Sequence, residues 1–228
     1  GFCAGSYWAA DTVVWAQSGS GGGGTYNSAS DYVATNYALD LFPGSAVGPL
    51  GWVPWNGGTG MTLEKAGINL LDPTMARIGM PDSTRMFYYG GPVFRPRSVL
   101  PDSFAVWASV AAPPGTPASA RTGDGEPVIV HFSVGAGHVT LFSFHPEIAL
   151  HSLVDGVTLT RYVDENAVAW QTGGEGFDEI ALAGWNIVHA ALQLATHTLP
   201  TPLNDLPGSP APWSRHVILE IPPEGGLH

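Results

Sequence analysis

The first five residues of the chain, Gly1-Phe2-Cys3-Ala4-Gly5, have the spacing of a cysteine nucleophile elbow. Such an elbow is a sharp strand-to-helix turn that presents a reactive side chain above a sheet, and its glycines leave room for the strained backbone. Helix-forming residues follow, so we expect Cys3 at a helix N-terminus, where the helix dipole and free N–H groups favour a thiolate. The alternative is a small, buried structural thiol, which is the more common fate of a lone cysteine.

A second reactive stretch lies far downstream, at His145-Pro146-Glu147. A histidine followed two residues later by a carboxylate can act as a general base whose ring the acid orients. We therefore predict a catalytic triad of Cys3, His145 and Glu147, with the sulfur within about 4 Å of a ring nitrogen. The backbone N–H of Ala4 is the predicted oxyanion donor, together with a second N–H from elsewhere.

A β-rich run that begins at Arg85 ends abruptly at two glycines. In an α/β sheet, a strand that ends in glycines commonly opens the ligand crevice. We therefore predict that Tyr88, Tyr89, Gly90 and Gly91 contact substrate. Because successive side chains of a strand alternate between faces, one tyrosine is expected in the core and the other in the site. Two tyrosines that only pack the sheet are the alternative.

These candidate residues need elements to hold them in place. Residues 127–133 and 138–144 predict a hairpin, with glycines in its turn, and His145 follows the second strand. His131 and His138 on this hairpin are expected to be structural or surface residues. Apolar residues at helical spacing predict helices over 159–170 and 177–195. Residues 12–16 predict either a short strand or the end of the elbow helix. Further strands are predicted at 61–63, 75–79 and 104–111, a turn at 42–44, and a last edge strand at 215–221.

Four collinear motifs carry a resemblance to a known family. They are Gly1-Phe2-Cys3-Ala4-Gly5-Ser6-Tyr7, residues 41–49, residues 88–94, and residues 134–141 followed by His145-Pro146-Glu147.

In these motifs, over roughly residues 1–150, the chain resembles the biotin–protein ligase N-terminal domain family. That family belongs to the class I glutamine amidotransferase-like superfamily, whose members carry a Cys-His-Glu triad. The resemblance implies an α/β fold, a flavodoxin-like three-layer sandwich with a mainly parallel sheet. Residues 1–199 would form the C-terminal part of that domain, and residues 200–228 a proline-rich arm. Biotin transfer is not implied, because that chemistry belongs to a separate catalytic domain.

The resemblance also places the elbow well inside its domain, after two or three β/α units. We therefore expect N-terminal β/α units that this chain lacks. A separate N-terminal polypeptide that completes the sheet is one hypothesis, and a sequence record that starts late is the other.

Composition limits the classes of partner. The 228 residues are 44% hydrophobic and only 12% charged, with a net charge of −11, which argues against nucleic acid or an anionic membrane as partner. The low charge and the many Gly, Pro, Ser and Thr residues favour a secreted protein, on compositional grounds alone. No cofactor or metal is predicted, because the sequence has no H-x-x-x-H or Walker pattern and no G-x-G-x-x-G that follows a strand and opens a helix.

The sequence therefore predicts a cysteine-dependent hydrolase or amidotransferase-like enzyme that acts on an amide bond in a small amide or peptide. The alternative is a catalytically silent module that binds a ligand or partner in the same crevice. A structural subunit is the third hypothesis. The sequence does not indicate the substrate, the oligomeric state, or the role of the Gly/Ser-rich loop at 18–30.

Overall fold

The structure is a computed structural model that describes residues 1–15, 32–35, 39–53, 61–97, 100–101, 103–147, 153–154, 157–158 and 177–202. The helices are α1 (Ala4–Trp8), α2 (Pro73–Arg77) and α3 (Phe177–Ala195), with a short 3-10 turn at Ala118–Ala120. The strands are β1 (Ala10–Trp15), β2 (Tyr32–Thr35), β3 (Phe42–Gly48), β4 (Met61–Ile68), β5 (Ser83–Tyr89), β6 (Val93–Pro96), β7 (Ala105–Val110), β8 (Pro127–Val134), β9 (Gly137–Phe142), β10 (Leu153–Val154) and β11 (Val157–Thr158).

Two sheets dominate the described part of the chain. The larger has five strands in the order β5-β4-β7-β8-β9, and every neighbouring pair in it is antiparallel. The smaller has four strands in the order β2-β1-β3-β6, in which only β1 and β3 run parallel. Strands β10 and β11 form a separate two-stranded ribbon.

This architecture contradicts the expected flavodoxin-like three-layer sandwich with a mainly parallel sheet. Parallel neighbours need crossover connections, usually through a helix, whereas antiparallel neighbours are joined by short turns. Here β4 leads to its neighbour β5, and β7 leads through β8 to β9. Within the described residues only α3 is longer than five residues. The described chain is therefore mostly β, and the α/β prediction was wrong.

The apolar core has two parts. One fills the space between the sheets, where the Phe42 ring lies 5.5 Å from that of Phe94 and 6.0 Å from that of Phe132. The other joins the five-stranded sheet to α3 and α2, and contains buried Trp107, Phe144, Met75 and Ile187. No helix in the described part of the chain is long and apolar enough to span a bilayer.

Several local predictions are confirmed. The hairpin forms as β8 and β9, α3 spans Phe177–Ala195, and strands form at β1, β4, β5 and β7. The predicted helix over 159–170, the loop at 18–30 and the edge strand at 215–221 lie outside the described residues, as does the arm at 200–228 beyond residue 202.

Two local predictions were wrong. The apolar residues of the predicted strand at 75–79 lie mainly in α2, because Asp72 caps that helix by accepting the N–H groups of Thr74 at 2.8 Å and Met75 at 3.2 Å. Pro73 follows at the first helical position, where a missing N–H costs nothing. The predicted turn at 42–44 is instead the start of β3. This strand pairs with the antiparallel strand β6, and Gly44 there packs closely against the Arg95 carbonyl.

Candidate functional site

Cys3 occupies a strained turn between an extended segment and α1. Its backbone angles are φ 45° and ψ −107°, in a region that non-glycine residues rarely adopt. Such a conformation costs of the order of 1–3 kcal/mol and persists only where the surroundings enforce it. Phe2, just before the turn, forms a parallel bridge with Phe142 at the end of β9. Cys3 therefore lies in a turn between a single bridge residue, Phe2, and the five-residue helix α1.

Hydrogen bonds to the end of β9 enforce this turn. The Cys3 N–H donates to the Phe142 carbonyl at 2.8 Å, and the Phe142 N–H donates to the Gly1 carbonyl at 2.9 Å. The fully buried Ser6 hydroxyl lies 2.7 Å from the Gly1 oxygen and 2.9 Å from the Phe142 oxygen. The Ser6 side chain thus links α1 to the end of β9.

The two glycines of the elbow differ in their need for space. A Cβ on Gly1 would lie 3.0 Å from the Gly5 carbonyl oxygen, so a side chain is poorly tolerated there. A Cβ on Gly5 would meet nothing within 4 Å. The expectation that both glycines make room for the turn therefore holds for Gly1 only.

His145 and Glu147 follow β9 and form a closely bonded pair. Nδ1 of His145 lies 2.7 Å from Oε1 of Glu147. The His145 N–H donates to the Phe87 carbonyl of β5 at 2.8 Å, and the two rings meet edge to face at 5.9 Å. The backbone and the ring of His145 are therefore both held.

The pKa of the His145 imidazole is higher than usual. Burial alone would lower the pKa of His145, but interactions with Cys3 and Glu147 outweigh burial and raise this pKa to about 9. An opposite charge and a hydrogen bond to the charged form both favour protonation. Cys3 and Glu147 thus both act on the His145 ring.

In this structure the Cys3 thiol does not donate its hydrogen bond to His145. The Cys3 sulfur donates to the Tyr89 carbonyl oxygen at 3.1 Å. Nε2 of His145 and Oε2 of Glu147 are buried and have no hydrogen-bond partner among the described residues. The Cys3 thiol is therefore bonded to the Tyr89 carbonyl rather than to Nε2 of His145.

The Ala4 N–H, the predicted oxyanion donor, has no acceptor within the described residues. It is the first N–H of α1, which no residue of the helix itself can satisfy. It directly follows Cys3 in the chain, so it is available to a negative charge that develops beside the sulfur.

The four residues predicted to contact substrate have different surroundings. Tyr88 is fully buried, and its hydroxyl is used within the core: it donates to the Gly91 oxygen at 2.9 Å and accepts the Leu50 N–H at 2.7 Å. Its neighbour Tyr89 is half-buried and lies beside Cys3 through its carbonyl. The core-facing tyrosine is therefore Tyr88.

Gly90 and Gly91 shape the wall beside the elbow. Gly90 turns the chain with φ 72°, and its carbonyl accepts the Tyr7 hydroxyl of α1 at 2.9 Å. A Cβ on Gly91 would overlap the Ser143 carbonyl oxygen. Both glycines therefore serve close backbone packing around the site.

Sequence reasoning did not find the residues that hold the site through their backbones. Phe87 and Phe142 act through carbonyl oxygens, which leave no signature in side-chain type. Ser6 is fully buried and acts through its side chain. It belongs to the elbow motif, and a serine three residues after the cysteine was the available signal in the sequence.

His131 and His138 lie outside this site, as the sequence predicted. The His131 ring stacks on Trp107 at 4.7 Å, and its Nε2 lies 3.3 Å from Nδ1 of His138. Burial, followed by the effect of His138, lowers the pKa of His131 to about 4. Within the described residues, no three side chains of the metal-binding types form a group that could hold a metal ion.

Comparison with known proteins identifies the family. A search of curated proteins and a search of solved structures gave no match. The family model described as "Biotin-protein ligase, N terminal" matches residues 1–170, which is most of the 228-residue chain. The match covers all four motifs noted in the sequence, and the chain therefore belongs to the biotin–protein ligase N-terminal domain family.

Proposed function

We propose that the chain is a cysteine-dependent hydrolase that cleaves an amide bond through Cys3, His145 and Glu147. One observation carries the proposal. A single imidazole is bound at Nδ1 by a carboxylate at 2.7 Å, and its buried Nε2 has no hydrogen-bond partner among the residues that the structure describes. The same ring interacts with a cysteine on a strained turn. Unpaired buried polar atoms and backbone strain both concentrate at functional sites.

In the proposed reaction the Cys3 thiolate attacks the carbonyl carbon of the amide. A C–S bond forms, the π electrons move onto the oxygen, and the Ala4 N–H donates to this oxyanion. The C–N bond then breaks as protonated His145 gives its Nε2 proton to the leaving nitrogen. Glu147 holds the ring through Nδ1 in both charge states.

Water completes the proposed cycle. It attacks the thioester carbon, His145 takes its proton at Nε2, and the C–S bond breaks to release a carboxylic acid. The thiolate–imidazolium pair is thereby restored. An amine acceptor in place of water would give amidotransfer, and a small amide or a peptide is the proposed substrate class.

A second candidate is a catalytically silent module that binds a ligand or partner in the same crevice. One contact favours it: the thiol hydrogen bonds to the Tyr89 carbonyl rather than to Nε2 of His145. A working triad would need the thiol to rotate towards His145.

Alkylation of Cys3 distinguishes the two candidates. Cys3 is the single cysteine of the chain, so iodoacetamide labelling followed by intact mass spectrometry reports on it alone. A thiolate paired with an imidazolium should react at pH 6 about tenfold or more faster than free cysteine, whose thiol is almost wholly protonated there. Labelling no faster than free cysteine, with no cleavage of a panel of amides and peptides, would favour the silent module. The Cys3→Ala variant is the unlabelled control.

A further inference from the structure

We propose that Gly184 of α3 is a positioning residue for His145, because its missing side chain lets the helix support the turn that carries the base. The inference rests on the proposed function, in which His145 is the proton carrier. Gly184 lies in the middle of a nineteen-residue helix, and nothing in the sequence motifs assigns it a role.

The contact is between helix and turn backbone. A Cβ on Gly184 would lie 2.6 Å from the Pro146 oxygen, 3.2 Å from its Cα and 3.3 Å from its carbonyl carbon. All three neighbours are backbone atoms of one residue, so no flexible side chain could swing aside to make room. Pro146 stands between His145 and Glu147, and α3 therefore touches the turn at its centre.

A glycine at this position calls for a reason. Glycine is a poor helix former compared with alanine, because it leaves more backbone freedom in the unfolded chain. Gly184 is buried and lies well inside the helix, so neither a helix end nor a solvent-exposed bend explains a glycine there. Close approach to Pro146 supplies the reason for a residue without Cβ.

The rest of α3 provides a firm support. Ile180, Ala183, Ile187 and Ala190 are buried on one side of the helix, and the helix contacts both β5 and β9. These are the strands that carry the Tyr89 carbonyl and lead into His145. Since protein interiors are close-packed, a shift at Pro146 is transmitted rather than absorbed.

An added methyl group would therefore disturb the base. Bringing the Cβ–O distance from 2.6 Å to an ordinary 3.4 Å requires the turn or the helix to move by 0.8 Å. The 2.7 Å bond between Nδ1 of His145 and Oε1 of Glu147 joins the residues on either side of the displaced proline. We expect this bond to lengthen or lose alignment.

The test compares Gly184→Ala with Gly67→Ala in the intact chain. A Cβ on Gly67 would have its nearest neighbour, the Ser109 oxygen, at an ordinary 3.8 Å, so this control makes the same chemical change without a clash. The His145 pKa is measured by NMR of histidine-labelled protein, with the resonance assigned from His145→Gln. The rate of iodoacetamide labelling of Cys3 is measured over the same pH range.

We expect Gly184→Ala to lower the His145 pKa from about 9 towards its ordinary value and to slow Cys3 labelling about tenfold or more. Gly67→Ala should match the wild type in both. A folded Gly184→Ala protein with an unchanged His145 pKa and labelling rate would overturn the inference. A structural role alone would change the melting temperature without moving the pKa.

If Gly184→Ala does not fold, Ile187→Val decides the question. This change removes one methyl group from a fully buried side chain of α3, about one turn from Gly184. We expect the helix to shift relative to the turn at Pro146, without an added side chain touching that turn. We expect the His145 pKa to fall here also, and an unchanged pKa would overturn the inference. Failure of the proposed function is a separate result, seen when wild-type Cys3 reacts no faster than free cysteine.

Discussion

The backbone N–H of His145 donates a hydrogen bond of 2.8 Å to the carbonyl oxygen of Phe87, which joins the two ends of the five-stranded sheet. Phe87 lies on β5, at one edge, and His145 lies just beyond β9, at the other. Two residues further along β5, the Tyr89 carbonyl points to the same side and accepts the Cys3 thiol. Cys3 and His145 therefore both bond to carbonyl oxygens of the outer edge of β5.

The two proposed partners of Cys3 should differ in how much the labelling of Cys3 depends on them. Replacing His145 by Ala removes the imidazolium that we propose pairs with a Cys3 thiolate, and we expect the rate at pH 6 to fall about 10²-fold or more. Glu147→Gln keeps the shape of the carboxylate and should cost less, because an orienting acid is often the least critical triad member. Pseudo-first-order labelling followed by mass spectrometry gives both rates. A larger loss in Glu147→Gln than in His145→Ala would contradict the assigned roles.

The raised pKa of His145 predicts a particular dependence of stability on pH. The pKa is about 9 in the folded chain and about 6.5 when the histidine is unperturbed, so the folded state holds the proton more tightly. The resulting stabilisation is fully present below pH 6.5 and is lost as the pH rises through about 9. Urea unfolding of the wild type and of His145→Gln should therefore give a difference in unfolding free energy that narrows over this range. A difference that widens with pH would mean that the interactions of His145 have been misread.

Ser6 should contribute to the stability of the elbow. Ser6→Ala removes a buried hydroxyl that donates to the Gly1 or the Phe142 carbonyl and accepts the Phe142 N–H. Because both carbonyls keep a backbone N–H donor, we expect a loss of about 0.5–1.5 kcal/mol in the free energy of unfolding. Ser83→Ala is the matched control, because the Ser83 hydroxyl bonds only to exposed Asp82. Denaturant unfolding of the two variants provides the comparison. Equal effects would show that Ser6 has no special part in holding the turn.

Two glycines of the site should respond to alanine with opposite signs. Gly91→Ala places a Cβ on the Ser143 carbonyl oxygen, and overpacking of this kind costs about 1–3 kcal/mol or more. Gly5→Ala meets no atom within 4 Å and lies inside α1, so it should gain about 0.5–1 kcal/mol from helix propensity. Thermal unfolding measures both. Strong destabilisation by Gly5→Ala would restore the idea that both elbow glycines are needed for space.

The parts of the fold that the sequence predicts well are encoded locally. The β8–β9 hairpin has an apolar pattern on either side of a glycine turn, and Gly135 there has φ 57°. Helix α3 has a long apolar stripe at helical spacing. His145 and Glu147 are two residues apart, so their contact also needed no knowledge of the overall fold.

Other features depend on contacts between distant segments. Whether two strands pair parallel or antiparallel is set by the connections and by packing, and the apolar pattern of β4 or β7 does not specify it. In α2 a short apolar stretch suits either a strand or a helix, and the Asp72-Pro73 signal for a helix start decides the outcome. Phe87 and Phe142 act through backbone atoms, and only the completed fold brings their carbonyls to the site.

The hydrogen bond between His145 and Phe87 also bears on how the protein avoids self-association through its sheet edges. The outer edges of a sheet present unpaired N–H and C=O groups, which can recruit strands from other molecules. Here the outer edge of β9 bonds to Gly1 and Cys3, and the outer edge of β5 gives its Phe87 and Tyr89 carbonyls to His145 and Cys3. The proposed catalytic turn therefore doubles as a cap on both sheet edges. We expect damage to the elbow to expose these edges, so that aggregation accompanies the loss of the proposed activity.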